Sequence, residues 1–210
     1  MSTDLDHLQL LHQWLSPGFP TGAFAWSHGL DRLVSDGEIA DAEDLRRWIE
    51  GVLRHGGGRS DAILLAHAWR GEDVAELAEA LAPTRERHAE TMDQGASFQR
   101  VTAALWGGEA VPLAYPVAVG QAAARAGIAL TPTLTLYLQA LVANLVSAAI
   151  RAVPLGQTDG QGVIRDLLPL CREIAAEAER AGLDEIGSIA IRADMASLHH
   201  ETQYSRMFRS

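Results

Sequence analysis

Asp41-Ala42-Glu43-Asp44-Leu45-Arg46-Arg47-Trp48-Ile49-Glu50-Gly51-Val52-Leu53-Arg54-His55-Gly56-Gly57-Gly58 is the stretch whose reading decides the fold class. Leu45, Trp48, Ile49, Val52 and Leu53 recur at intervals of three and four, so they share one face of a helix while charged residues take the other. Asp41 can cap the free amides of the first turn, and Glu43 and Asp44 complement the positive end of the helix dipole. Arg54 and His55 complement the negative end, and the glycine run stops the helix.

The same spacing recurs outward in both directions, and sustained period-two alternation is missing, which predicts an all-α single-domain helical bundle of about eight to ten helices. Leu5, Leu8, Leu11 and Leu15 form a first stripe that Ser16-Pro17-Gly18 ends. Helices are expected near residues 60–70, 73–81 and 84–106, the last capped by Thr84. Pro116 suits the first turn of a helix running to Gly127, and Thr131-Pro132 suits a cap and first position. On the helix that follows, Ala140, Ala143, Asn144 and Ser147 make a small-residue strip beside Leu134, Leu138, Leu141 and Leu145. Pro154-Leu155-Gly156 breaks the chain before a helix to about residue 180, where Ala181-Gly182 suits a left-handed terminus. A last short helix is expected around Ile186, Ile189, Ala190 and Ile191.

Composition excludes several classes of function. With 210 residues, 48% hydrophobic and 21% charged, the chain can bury one core and should fold. A net charge of −10 repels phosphate backbones and anionic lipid surfaces, so neither nucleic acid nor membrane is expected as a partner. All 17 basic residues are arginine, which removes the phosphate-loop lysine, Schiff-base chemistry and the Ser-x-x-Lys nucleophile together. One cysteine, Cys171, excludes an internal disulfide framework and suits a reducing cytoplasm. The acidic Met1-Ser2-Thr3-Asp4-Leu5-Asp6 start lacks the pattern of a secretory signal. No charge occurs between Arg125 and Arg151, a length that could span a bilayer. Thr131, Pro132, Thr133, Thr135, Gln139, Asn144 and Ser147 argue instead for a buried helix of a soluble protein.

No enzyme signature emerges, and no resident cofactor is expected. His200-Glu201 begins a zincin-like pattern, but Tyr204 stands where the second histidine ligand belongs. His7, His12, His28, His55, His67 and His88 are scattered singly, whereas the adjacent His199 and His200 could hold a metal such as nickel in transit. Cys171 lies in an apolar stretch and reads as a buried, inert thiol. Gly56-Gly57-Gly58 follows a helix and has no lysine beside it, so it is no phosphate loop.

Two segments resist a purely structural reading. Ser16-Pro17-Gly18-Phe19-Pro20-Thr21-Gly22-Ala23-Phe24-Ala25-Trp26-Ser27-His28-Gly29-Leu30-Asp31 builds a rigid turn but also sets Ser27, His28 and Asp31 at helical spacing. The closing Asp194-Met195-Ala196-Ser197-Leu198-His199-His200-Glu201-Thr202-Gln203-Tyr204-Ser205-Arg206-Met207-Phe208-Arg209-Ser210 has the aromatic and arginine content of a partner-binding segment. The first closely resembles the Ser-Pro-x-Phe-Pro-x-Gly-x-Phe-x-x-Ser-x-Gly-Leu-acid signature of the urease accessory protein UreF family. The second resembles that family's closing His-Glu-Thr-Gln-Tyr-Ser-Arg-Leu-Phe-Arg-Ser, and Pro154-Leu155-Gly156-Gln157 resembles its break between helices. The sequence departs from the commonest pattern at Asp31, where glutamate is usual, at Trp26, and at Met207 in place of leucine.

The resemblance implies a homodimeric, non-enzymatic scaffold that binds the accessory protein UreD, also called UreH. Through that complex it would recruit the GTPase UreG for nickel insertion into apo-urease. Carried onto this chain, the partner-binding residues would be Pro20, Gly22, Phe24, Ser27, His28, Asp31, Gly156, Gln157, His200, Glu201, Tyr204, Arg206, Met207, Phe208 and Arg209. Residues 1–196 would form the helical domain and 197–210 a tail, flexible in the isolated protein. Tyr204 and Phe208 of that tail, four apart and so on one helical face, would fill a partner's pocket together with Met207, with Arg206 and Arg209 pairing at its rim. The rival readings are a free-standing nickel metallochaperone using His199 and His200, and a small helical metallohydrolase.

Overall fold

A computed structural model describes residues 3–187 and 190–210 and contains ten α-helices and no strand among them. In chain order these are α1 (Asp4–Leu15), α2 (Leu30–Ser35), α3 (Ala42–His55), α4 (Gly57–Trp69), α5 (Ala75–Ala80), α6 (Arg85–Trp106), α7 (Tyr115–Arg125), α8 (Leu130–Ala152), α9 (Gln157–Ala178) and α10 (Ile191–His200). Single 3₁₀ turns at Ala23–Ala25 and Leu183–Glu185 complete the set.

Local signals fix several boundaries. Asp41 caps α3 by accepting from the Asp44 amide at 2.9 Å, and Thr84 caps α6 by accepting from the Arg87 amide at 3.1 Å. Leu45, Trp48, Ile49, Val52 and Leu53 are all buried, as their spacing predicts. Gly56 ends α3, yet α4 starts on the next residue, so the glycine run is a corner between two helices. α7 carries Pro116 in its first turn and lies against α4. The two approach closely at Gly120, where a β-carbon would stand 2.5 Å from the Leu65 carbonyl oxygen.

α8 is the centre of the bundle, packing on α9, α4, α1, α3, α2 and α7. By length and composition it is long and apolar enough to cross a membrane, but Leu134, Leu138, Val142, Leu145 and Ala149 are at most 1% exposed inside the core. Its threonines bond back within the helix, Thr133 to the Ala129 carbonyl at 2.8 Å and Thr135 to that of Thr131 at 2.9 Å. Cys171 is buried on α9, and burial pushes its thiol up to about 11, so it is inert at neutral pH.

Four sequence expectations need correction. In α1 only Leu11 and Trp14 are buried, while Leu5 and Leu8 are 64% and 47% exposed because the first turns project beyond the core. Ala129 stands at the cap of α8, so Thr131-Pro132 fall inside its first turn, where a proline removes no needed donor. α9 ends at Ala178, and Gly182 has φ −82°, so no left-handed terminus forms there. The last helix begins at Ile191, where the expected one ended, Ile186 follows a 3₁₀ turn, and Ile189 lies outside the described residues. α10 buries Ala196, Ser197 and His200, a mostly polar face that apolar periodicity does not register.

α10 also runs unbroken through positions 196 and 197, so the expected boundary is not a break in the structure. The residues after it turn back onto the body, and Phe208 and Ser210 are buried there.

Candidate functional site

The two unusual sequence segments meet. Left-handed backbone at Gly22 (φ 76°), His28 (φ 58°) and Gly29 (φ 79°) folds the first segment tightly enough to bury Ser27, His28 and Asp31. Gly29 is required by contact as well as by φ, since a β-carbon would come 2.7 Å from the Ser197 amide nitrogen of α10.

Onto this turn the closing segment docks through its backbone. The Met207 and Phe208 amides donate to Asp31 Oδ2 at 2.7 and 3.3 Å. The Arg209 amide donates to the Ala25 carbonyl at 2.8 Å and the Ser27 amide to the Ser210 carbonyl at 3.0 Å. The Ser27 hydroxyl donates to that same carbonyl, and the His28 amide donates to Ser210 Oγ at 3.2 Å. Arg151 of α8 covers the buried Phe208 ring at 4.5 Å and donates to the Phe24 carbonyl at 2.7 Å.

Two knots of buried charge lie beneath. In the first, His200 is fully buried, with Nδ1 2.8 Å from Glu86 and Nε2 3.3 Å from Asp31 Oδ2, and Arg206 reaches Glu86 at 3.0 Å. In the second, Arg87 pairs with Glu90 and donates to His28 Nδ1 at 2.8 Å, while Gln94 donates to Glu90 at 3.1 Å. Burial opposes the Glu90 charge, but Arg87 and His28 outweigh it and hold the carboxyl down at about 2. Burial and the neighbouring Arg87 lower the pKa of His28.

Two cavities of about 60 and 130 Å³ flank the second knot and share four lining residues, His28, Asp61, Arg87 and Thr91. Asp61 accepts from the Tyr137 hydroxyl at 3.0 Å, yet burial pushes its carboxyl up to about 6 from an ordinary 3.8. A raised carboxyl pKa means that the charged form opposes folding above pH 6 and that the penalty vanishes below pH 3.8. The full shift corresponds to about 3 kcal/mol, which the partial solvent access of Asp61 reduces to about 1–2 kcal/mol. Asp61→Asn is therefore expected to raise unfolding stability at pH 7.5 by about that amount and to change little at pH 4. Urea unfolding at the two pH values checks this, and equal effects at both would refute the assignment.

Of the residues proposed from sequence, Ser27, His28, Asp31, His200, Arg206 and Phe208 come together in the junction. Phe24, Tyr204 and Met207 face outward at 68%, 104% and 59% exposure. Tyr204 and Phe208 do not share a helical face, because the chain after His200 runs in turns and places one outside and the other inside. Arg206 and Arg209 are already paired within the chain, with Glu86 and with Asp93 at 3.1 Å. Glu201 accepts from the Arg85 amide at 3.0 Å. Gly22 shapes the turn and Pro20 is exposed on it, whereas Gly156 and Gln157 are exposed at the start of α9 and make none of the junction's bonds. His199 is exposed while His200 is enclosed, so the pair does not present two imidazoles together. Among the described residues, no group of three or more histidine, cysteine or carboxylate side chains could hold a metal ion.

Sequence reading missed Glu86, Arg87, Glu90 and Gln94. Their signal was present: Glu86, Glu90 and Gln94 recur every four residues along α6, a polar line on a helix without a strong apolar face.

A family model described as UreF matches residues 39–168, a span that holds the α6 carboxylates but neither of the segments that dock on each other. Longer similarities cover those too. Over 203 residues the chain is 57% identical to the urease accessory protein UreF of Cereibacter sphaeroides strain KD131, covering 95% of this chain and 97% of that protein. It is 48% identical over 215 residues to the urease accessory protein UreF of Roseobacter denitrificans, covering 100% of this chain and 96% of that protein. The urease accessory protein UreF of Ruegeria pomeroyi is 48% identical over 206 residues, with 95% of each chain covered.

Proposed function

This chain belongs to the urease accessory protein UreF family, and on that premise we propose that it is the scaffold on which nickel is inserted into apo-urease. It binds UreD/UreH, and the joint surface recruits the GTPase UreG and regulates its release of nickel by favouring one nucleotide state over the other. Nickel is cargo in this reading, and the chain works in the cytoplasm as a homodimer. Its relatives are named as accessory proteins rather than catalysts, and a chain without lysine leaves phosphate chemistry to a partner.

The observation that carries the proposal is the junction itself. The Asp31 carboxylate and the backbone of Ser27 and Ala25 hold the closing segment by its main chain, while Phe24, Tyr204 and Met207 remain exposed on the two segments so joined. A pre-shaped surface with protruding aromatic and methionine side chains loses less entropy on binding than a disordered tail would. The free-standing metallochaperone is the weaker reading, because both ring nitrogens of His200 face carboxylates inside the protein.

Phe24→Ala, Tyr204→Ala and Met207→Ala combined should leave the melting temperature within a few degrees, as all three side chains are exposed. Each aromatic anchor contributes on the order of 2 kcal/mol, so affinity for UreD/UreH should fall by at least about 100-fold. Co-purification with the accessory set and light scattering of the eluted complex measure both the binding and the dimer. Undiminished recovery of the partner would sink the assignment of this surface, and a monomeric complex would sink the dimer.

A further inference from the structure

We infer that His200 is a positioning residue that acts as a doubly protonated imidazolium, bridging Asp31 and Glu86 so that Asp31 stays aimed at the Met207 and Phe208 amides. A neutral imidazole has one N–H and one lone pair. Here Nδ1 lies 2.8 Å from a Glu86 oxygen and Nε2 3.3 Å from Asp31 Oδ2, so a neutral ring would turn its lone pair on a carboxylate inside the protein. The alternative, a proton on one of the carboxyls, is opposed on both sides. Asp31 Oδ2 already accepts from two backbone amides, and Glu86 receives the Arg206 guanidinium at 3.0 Å.

With both carboxylates already engaged as acceptors, the geometry places the second proton on the ring. His200 and Arg206 then balance Asp31 and Glu86, a neutral set of charges with the imidazole fully enclosed. As the last residue of α10, His200 also sits at the negative end of a helix dipole, which favours a cation there. Nearby, the Thr84 cap of α6 and Ser197 of α10 bond to each other at 2.8 Å and bring no charge, and Glu201 is engaged by the Arg85 amide. The charge thus links α2, α6 and α10, and through Asp31 Oδ2 it sets the position of the closing backbone. In the proposed complex, which this last step rests on, the surface bearing Tyr204 and Met207 keeps its shape by this means.

The test uses the whole chain with ¹⁵N-labelled histidine. Long-range ¹H–¹⁵N correlation at pH 7 should show both ring nitrogens of His200 protonated, and a single protonated nitrogen would overturn the inference. In His200→Gln the exchange protection of the Met207 and Phe208 amides should fall by at least about tenfold while α8 amides keep theirs, and unchanged protection would equally overturn it. If His200→Gln does not fold, the wild-type ring signal decides alone. Neither measurement involves a partner, so their failure leaves the accessory reading standing. Lost co-purification with an intact imidazolium signal cannot touch this inference, and a neutral ring cannot touch that reading.

Discussion

Deleting every residue after Met195 is expected to destabilise the protein by more than about 5 kcal/mol, a loss comparable to the whole stability of many domains. Phe208 is 5% exposed, and its burial alone contributes about 1.5–3 kcal/mol. The truncation also strips His200 and Arg206 from Glu86, and His200 with two amides from Asp31, leaving both carboxylates enclosed without their partners. Orphaning a buried charged group costs about 3–5 kcal/mol before relaxation, and water entering the opened site recovers only part. Thermal unfolding should shift down by roughly 10–20 °C or lose its cooperative transition. An unchanged melting temperature would mean that the docked segment contributes nothing to folding, as the sequence reading of a flexible tail expects. The exposed-residue triple variant at Phe24, Tyr204 and Met207 is the matched control, because it alters the same surface without touching the buried bonds.

What was legible in the sequence was local. Asp41 and Thr84 cap helices through bonds that reach three residues along the chain, and the α3 face is defined by spacing alone. The uncharged stretch before Arg151 was legible as a core helix because its hydroxyls can find acceptors within a turn, as Thr133 and Thr135 do. The site was visible only in part. Ser27, His28 and Asp31 stood out by spacing, but their partners in the closing segment lie more than 160 residues away in the chain, and no periodicity links them. Phe208 and Tyr204 have the same character in the sequence, yet one is an internal anchor and the other faces solvent. That difference is made by Asp31, which draws the Met207–Phe208 backbone inward. The α6 carboxylates were overlooked for the opposite reason: Glu86 and Glu90 make a regular polar line on a long helix, but only the fold shows that the closing segment covers it.

Arg87→Ala is expected to cost about 3–5 kcal/mol at pH 7, the second large effect, because it leaves Glu90 3% exposed and without its guanidinium. The pH dependence distinguishes this from a loss of packing. In the wild type the Glu90 carboxyl is held at about 2 against an ordinary 4.5, so the unfolded chain takes up the proton first as pH falls. The pair's contribution is therefore complete above pH 4.5 and is lost as pH drops through about 2. Without Arg87, burial becomes the dominant influence on Glu90 and favours its protonated form, leaving His28 at 3.2 Å as the remaining partner. Acidification then relieves the variant where it does not relieve the wild type, and the difference between them should shrink by at least about 1 kcal/mol between pH 7 and pH 4.5. Arg87→Met with Glu90→Gln removes both charges at similar volume and should recover most of the loss at pH 7, as buried ion pairs replaced together commonly do. Urea unfolding of the three proteins at both pH values measures all of this. A pH-independent deficit in Arg87→Ala, or a double variant no better than the single one, would show that Arg87 supports α6 by packing and that the charge pair beside the two cavities is incidental to the fold.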